Sequence, residues 1–478
     1  MVFSSLTFLF YYLPICVIIY LLLPRLFFKN LWLLTASLWF YFWGEFEYIG
    51  VLFLSIFINY IGGFLIEFGK NRKLFLYVTV AINLFILFYY KYLGFVICSI
   101  FSSENSITDN WQDIHLPLGI SFFTFQGISY LVDLYRKEAG IEKNIFNLAL
   151  YISMFPQLIA GPIVRYSTIA TSLKSRVHSK EKFIHGISLF VIGLGFKVLL
   201  ANNFALVADT IFDLSQFELS TSLAWLGLLS YTLQIYFDFN GYSVMAIGLG
   251  SIFGFKFPLN FNYPYISQSI TEFWRRWHIT LSTWFKDYLY IPLGGNRKGA
   301  FRTYLNLIVV FFLCGIWHGA SWIFIFWGLY QGVFLILERL WLKDKLNAAY
   351  PFIRHIYTLF VILTGWLLFR SNDMSQFSSY FKTLFGFNAS SSIDLLFSEF
   401  LTLKLIVLFL FALVLSTPIT YKLFIKSDSE MKTLSSLTPN QYQLIVPLLW
   451  YILLMIILLL SVSSICNQTY NPFIYFRF

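Results

Sequence analysis

The chain has 478 residues, of which 58% are hydrophobic and 12% charged, whereas soluble domains carry roughly 25% charged residues. That is too little charge to clothe a soluble fold of this length, which excludes a soluble enzyme, a disordered tail and a disulfide-stapled secreted domain. The net charge of +10 falls in short patches between apolar runs, the pattern of cytoplasmic loops meeting anionic headgroups and not of a nucleic-acid surface. The expectation is one all-α, polytopic membrane domain over 1–478, solvated by lipid, with no soluble domain and no nucleic-acid partner.

In chain order, the run 6–28 is long enough to cross a bilayer. It lacks a basic leader and a small-residue cleavage site, so it reads as a retained helix. Arg25 and Lys29 follow it and place that end in the cytoplasm. Runs at 31–42 and 48–66 continue the alternation, meeting Glu45 and Glu47 on one side and Lys70, Arg72 and Lys73 on the other. The run 74–100 leaves at a polar loop holding Glu104, Asp109 and Asp113, and 117–135 returns to Arg136 and Lys137. The run 146–163 lies between two basic loops, and one crossing cannot have both ends inside. Pro156 and Gly161-Pro162 interrupt a helix there, so a re-entrant or in-plane segment covered by protein is expected. Runs at 184–206 and 222–256 lead to a basic segment at 271–302. Residues 303–337 hold no Asp, Glu, Lys or Arg. Both flanks are basic, which predicts two short passes or a dipping hairpin. Further spans fall near 354–370, 400–419 and 443–463. The total is roughly ten to twelve membrane segments.

Chemistry concentrates at two histidines. His318 lies near the middle of the uncharged stretch, and an ionisable residue at membrane depth is a functional candidate by default. Burial keeps an imidazole neutral, the form that accepts a proton. The plain alternative is a neutral imidazole bridging two helices. Gly315 and Gly319, at i and i+4, let another backbone or a substrate approach that face. His278 follows a capping-box pattern at Ser269 and Glu272, so a helix is predicted from about Ile270. On it Trp274, Trp277, Leu281, Trp284 and Phe285 share one face, and Arg275, His278 and Ser282 another. An interfacial helix with snorkelling arginines fits this spacing equally well.

The cations Arg275, Arg276, Lys286, Arg297, Lys298 and Arg302 form a basic cluster suited to a phosphorylated donor or to headgroups. Asp238, in an apolar context, is expected to pair structurally with an arginine. Cys16, Cys98, Cys314 and Cys466 have no paired spacing, and so form neither a metal signature nor a disulfide framework. Cys314 as a nucleophile is a weaker reading than Cys314 as a small buried hydrophobe. No zinc motif, phosphate loop or nucleophile elbow is present.

Five segments carry a resemblance: PLGISFFTFQGISYLVDLYR (117–136), FPQLIAGPIVRY (155–166), IYFDFNGYSVMAIGLG (235–250), SITEFWRRWHITLSTWFKDYLYIPLGGNRKG (269–299) and NLIVVFFLCGIWHGASWIFIFWGLYQG (306–332). With the terminal NPFIYFRF, they resemble the membrane-bound O-acyltransferase superfamily, in its bacterial alginate O-acetyltransferase membrane-subunit branch. The resemblance implies helices around a central tunnel in the bacterial cytoplasmic membrane. It implies His318 as the essential histidine and general base, with His278 as the second. It implies acetyl-CoA as donor with no permanently bound cofactor, and delivery to an extracytoplasmic polysaccharide or peptidoglycan through a periplasmic esterase-like partner. The donor then meets the basic cluster of Arg275, Arg276, Lys286 and Arg297. Val244 and Gln331 depart from the family pattern and bear on subfamily and acceptor. Two alternatives stand beside this reading: D-alanyl transfer from a carrier protein to a cell-wall polymer, and a transporter or flippase. The latter predicts paired broken helices in two similar halves, and only one interrupted stretch, near 156–162, is found.

Overall fold

The computed structural model describes residues 2–101, 111, 114–159, 161–215, 217–387, 394–419, 439–467 and 470–472. The acidic loop with Glu104, Asp109 and Asp113, and most of the terminal NPFIYFRF, lie outside them. The described residues form an all-α polytopic membrane protein without strands. Its helices are α1 (Phe8–Leu22), α2 (Leu26–Gly44), α3 (Ile49–Phe68), α4 (Arg72–Ile100), α5 (Ile120–Arg136), α6 (Ile145–Ser153), α7 (Phe155–Leu158), α8 (Tyr166–Lys174), α9 (Lys180–Phe212) and α10 (Thr221–Ile252). There follow α11 (Ile270–Arg276), α12 (Ile279–Phe285), α13 (Ala300–His318), α14 (Trp322–Ala348), α15 (Pro351–Arg370), α16 (Met374–Leu384), α17 (Asp394–Phe400), α18 (Leu403–Leu415) and α19 (Pro439–Asn467). Among the described residues seven helices are long and apolar enough to cross a membrane: α3, α4, α9, α13, α14, α15 and the 448–467 part of α19.

Two expectations are corrected here, and two are met. The run 6–28 is not one helix: Leu23 is extended, because the ring of Pro24 disfavours helical backbone in the residue before it. The uncharged run 303–337 forms two passes joined as a hairpin, as expected. It forms the inner parts of two long antiparallel helices, α13 and α14, which continue into the charged flanks and turn at 319–321. His318, near the middle of the uncharged stretch, therefore sits at the apex of this hairpin. Asp238 pairs not with an arginine but with Lys197, 2.7 Å away, both nearly inaccessible. The interrupted segment is found as expected: α6 stops at Met154, α7 is one turn, and 161–165 is irregular, with nearly all of it buried.

The helix α10 is 32 residues long and buried along most of its length. It carries Gln234, Asp238 and Asn240 without facing lipid, because α9 and neighbouring helices cover it. Without a hydrophobic drive between helices in lipid, close packing at small residues holds them together. A Cβ on Gly193 would lie 2.6 Å from the Gly241 carbonyl oxygen, and one on Gly241 would lie 2.8 Å from that of Gly193. Gly186 and Gly248 repeat the pattern one heptad away. Gly241→Leu should push α9 from α10 and cost about 1–3 kcal/mol or more. A lower thermal midpoint and an aggregated elution profile in detergent are the expected readouts. The Lys197–Asp238 pair lies within this interface. Lys197 also donates to Asn202 Oδ1 at 2.9 Å and to the Pro472 carbonyl. Asn471 contacts Asn202 and Ser4, so Ser4 and the 471–472 segment meet beside this pair.

Candidate active site

The segment 260–285 brings His278 inside. Ser269 accepts from Glu272 N at 3.0 Å, so α11 starts where the capping pattern predicts. A second clamp comes from Glu338 of α14, whose buried carboxylate accepts from Ile270 N (2.5 Å), Thr271 N (2.9 Å) and Thr271 Oγ1 (2.7 Å). A carboxylate there meets the orphan N–H groups and positive end of the helix. The predicted continuous helix is broken: His278 has left-handed backbone, φ 41 and ψ 54, between α11 and α12. Arg275 and His278 therefore do not share a face: Arg275 is exposed and His278 is 1% exposed.

Asn260 explains the break. Its backbone carbonyl accepts from Ile279 N at 2.9 Å. Its Oδ1 accepts from Thr280 Oγ1 (2.9 Å) and lies 3.0 Å from His278 Nδ1, while its Nδ2 donates to Ser243 Oγ at 3.0 Å. An amide oxygen only accepts, so His278 Nδ1 carries the proton and Nε2 is the basic nitrogen of the neutral ring. Thr280 Oγ1 in turn accepts from Ile163 N at 3.0 Å, tying the interrupted segment to His278. Asn260→Leu should release this tautomer and lower transfer by roughly ten- to a hundredfold, an effect of the size seen on losing a supporting hydrogen bond. Steady-state kinetics of the purified variant would check it, with wild-type kcat counting against the role.

His318 ends α13, is 7% exposed, and is enclosed by rings: Trp317 at 4.9 Å, Trp327 at 5.0 Å and Phe369 at 5.3 Å between centroids. His278 meets the same Trp317, at 6.1 Å. The two predicted histidines are thus brought together around one indole. The indole N–H groups of Trp317 and Trp327 are buried and have no hydrogen-bond partner among the described residues. Gly315 admits the Phe324 carbonyl to 2.3 Å from a notional Cβ, so the small residue serves backbone approach as expected. Gln331, where the family pattern leads one to expect histidine, accepts from Trp274 Nε1 at 3.2 Å and so supplies the acceptor this position needs. Cys314 is buried and free, and no group of His, Cys, Asp or Glu suited to a metal occurs among the described residues.

Two polar residues went unremarked in the sequence. Asn260 is neutral and eighteen positions from His278, so no local signal marks it. Lys91 is a lone cation inside the run 74–100, a visible signal that charge counting passed over. It lies in a π-turn of α4, and its Nζ donates to the Trp317 carbonyl at 2.5 Å and to Ser121 Oγ at 3.3 Å. It thereby holds one of the orphan carbonyls at the end of α13. The cations Arg275, Lys286 and Arg297 are exposed, and Arg276 is tied to Glu272 at 2.9 Å. From Ala300 to His318, α13 covers ~27 Å, so the histidine lies nearly a bilayer's thickness along the helix from this basic end.

The profile of the MBOAT, membrane-bound O-acyltransferase family matches residues 40–369. The chain is 37% identical to a probable alginate O-acetylase AlgI of Azotobacter vinelandii, with both chains covered in full. It is 36% identical to a peptidoglycan O-acetyltransferase of Helicobacter pylori, over 82% of this chain and 81% of that one. It is 30% identical to a teichoic acid D-alanyltransferase of Bacillus subtilis, over 49% of this chain and 62% of that one.

Proposed function

Because this chain belongs to the membrane-bound O-acyltransferase family and is an O-acyltransferase, we propose that it moves acetyl from cytoplasmic acetyl-CoA, across the bacterial cytoplasmic membrane, to a hydroxyl destined for an extracytoplasmic polysaccharide or peptidoglycan. The observation that carries the proposal is the buried pair His318 and His278 on one indole, Trp317. Acyl transfer needs a base for the acceptor hydroxyl. In this reading His318 takes that proton as the oxygen attacks the thioester carbonyl. The C–S bond then breaks, and the proton passes to the leaving thiolate. His278, oriented by Asn260, positions the acceptor, and the Trp317 and Trp327 indoles offer N–H groups to the developing oxyanion. The exposed Arg275, Lys286 and Arg297, with Arg276, draw the anionic donor to the cytoplasmic face. A tunnel meeting near His318 admits donor and acceptor from opposite sides, and a periplasmic esterase-like protein completes delivery.

The acetyl reading is favoured over D-alanyl transfer because the acetyltransferase relatives match most or all of the chain and the alanyl relative about half. The test uses purified protein in liposomes with labelled acetyl-CoA outside and, inside, an oligosaccharide together with a periplasmic esterase-like acetyltransferase. Labelled ester inside, without net entry of coenzyme, is expected. Coenzyme entry without ester would instead establish a transporter, and label transfer only from a D-alanyl carrier protein would establish the alanyl reading.

A further inference from the structure

The cations at the surface do not explain where a donor is held, but a second cationic group does. Tyr288, in the π-turn Lys286–Tyr290 that follows α12, has two guanidinium groups over its ring: Arg136 at 5.5 Å and Arg165 at 5.3 Å. The arginines come from different elements, the end of α5 and the irregular stretch before α8. Asp287 gathers both: its carboxylate lies 2.6 Å from Arg165 Nη2, and its backbone carbonyl accepts from Arg136 Nη2 at 2.9 Å. The Tyr288 hydroxyl is anchored below by Asp133, buried in α5, at 2.5 Å. Each guanidinium carries five N–H donors, and one of each is committed to Asp287. Both arginines are half-buried, and the one carboxylate in contact with them, that of Asp287, is half-buried too. A fixed pair of planar donors that keeps uncommitted N–H groups is suited to a phosphate group.

Its place in the fold gives it meaning. The helix α5 runs from the histidines to this pair. Near its start Phe125 stacks on Trp284 (3.8 Å) and lies 5.7 Å from Trp317. Near its end stands Arg136. Phe125 and Arg136 are separated by ~16 Å of helix, a distance that an extended phosphopantetheine arm can bridge. We propose that Arg136 and Arg165, braced by Tyr288 and Asp287, bind the phosphates of the nucleotide-linked thioester donor, with its arm laid along α5 so that the thioester reaches Trp317 and the two histidines. This assignment rests on the acetyl-transfer reading above. An anionic lipid headgroup offers the same phosphate chemistry, and the experiment separates the two sources.

The wild type, Arg136→Gln and Arg165→Gln are assayed in nanodiscs of neutral phosphatidylcholine with two donors, acetyl-CoA and S-acetylpantetheine, which lacks the phosphates. The wild type should show a lower KM for acetyl-CoA than for S-acetylpantetheine. Each variant should raise KM for acetyl-CoA by on the order of tenfold, leave its kcat within about twofold, and leave both constants for S-acetylpantetheine unchanged. Retained turnover of the short donor also shows that the variant is folded. Equal losses with both donors, an unchanged KM for acetyl-CoA, or a loss seen only when phosphatidylglycerol is present would each overturn the assignment. Wild-type transfer from neither donor would overturn the acetyl reading and this site with it.

Discussion

His318→Gln should abolish ester formation while leaving a folded protein. Gln keeps a polar side chain of comparable reach within the cage of Trp317, Trp327 and Phe369, but it cannot take up a proton at neutral pH. Loss of a general base lowers the rate by roughly a hundred- to ten-thousand-fold. His278→Gln should cost less, since its assigned work is orientation and its lost hydrogen bond to Asn260 is worth on the order of 1 kcal/mol. Two measurements decide the matter. One is the acetate released by mild alkali from surface polysaccharide of cells carrying each variant. The other is kcat of purified protein with labelled donor. Wild-type ester content in a His318→Gln strain, with the protein present at normal level in the membrane, would refute the assigned role.

The largest stability effect is expected at the pair between α9 and α10. Lys197 and Asp238 are 3% and 2% exposed at the side chain. Breaking a buried pair by removing one partner typically costs 3–5 kcal/mol, because the other charge is left uncompensated. Lys197→Ala should show this loss in full, and it also removes the contacts to Asn202 and Pro472 that fasten the end of the chain. The double variant Lys197→Met with Asp238→Leu keeps volume and removes both charges. It should recover much of the stability, since an apolar substitute for a buried pair is often neutral or better. Thermal unfolding in detergent, followed by the fraction remaining monodisperse, measures both. Equal damage from the single and double variants would show that packing, not charge, dominates at this interface.

The class of fold was legible because lipid leaves a coarse mark on composition: long apolar runs cut by basic and acidic loops. The histidines were legible because polar groups are rare in such runs. The joint at His278 was not. Its amphipathic spacing is that of a continuous helix, and the break is made by Asn260, whose hydrogen bonds to Ile279, Thr280 and His278 compete with the helical ladder. Tertiary competition of this kind has no local signature. The same holds for Asp238: its apolar context announced a partner, but choosing Lys197 over an arginine required the close approach of α9 and α10 at their glycines. The hairpin of α13 and α14 was legible as two passes, but the position of His318 at its turn was not. Absence of charge marks the inner parts of helices and their apex alike, so the midpoint of the uncharged run fell on the turn.

The ~27 Å of α13 between its basic end and His318 has an energetic consequence. In the proposed reaction, a donor held at one face and an acceptor arriving from the other exchange an acyl group for a proton: the thioester leaves as thiol and the alcohol leaves as ester. Every species is as neutral at the reacting atoms after the exchange as before it. A transmembrane voltage does work of about 2.3 kcal/mol per elementary charge per 100 mV, but here no net charge crosses. The traffic through this protein should therefore be indifferent to membrane potential, and its driving force should be the thioester bond alone.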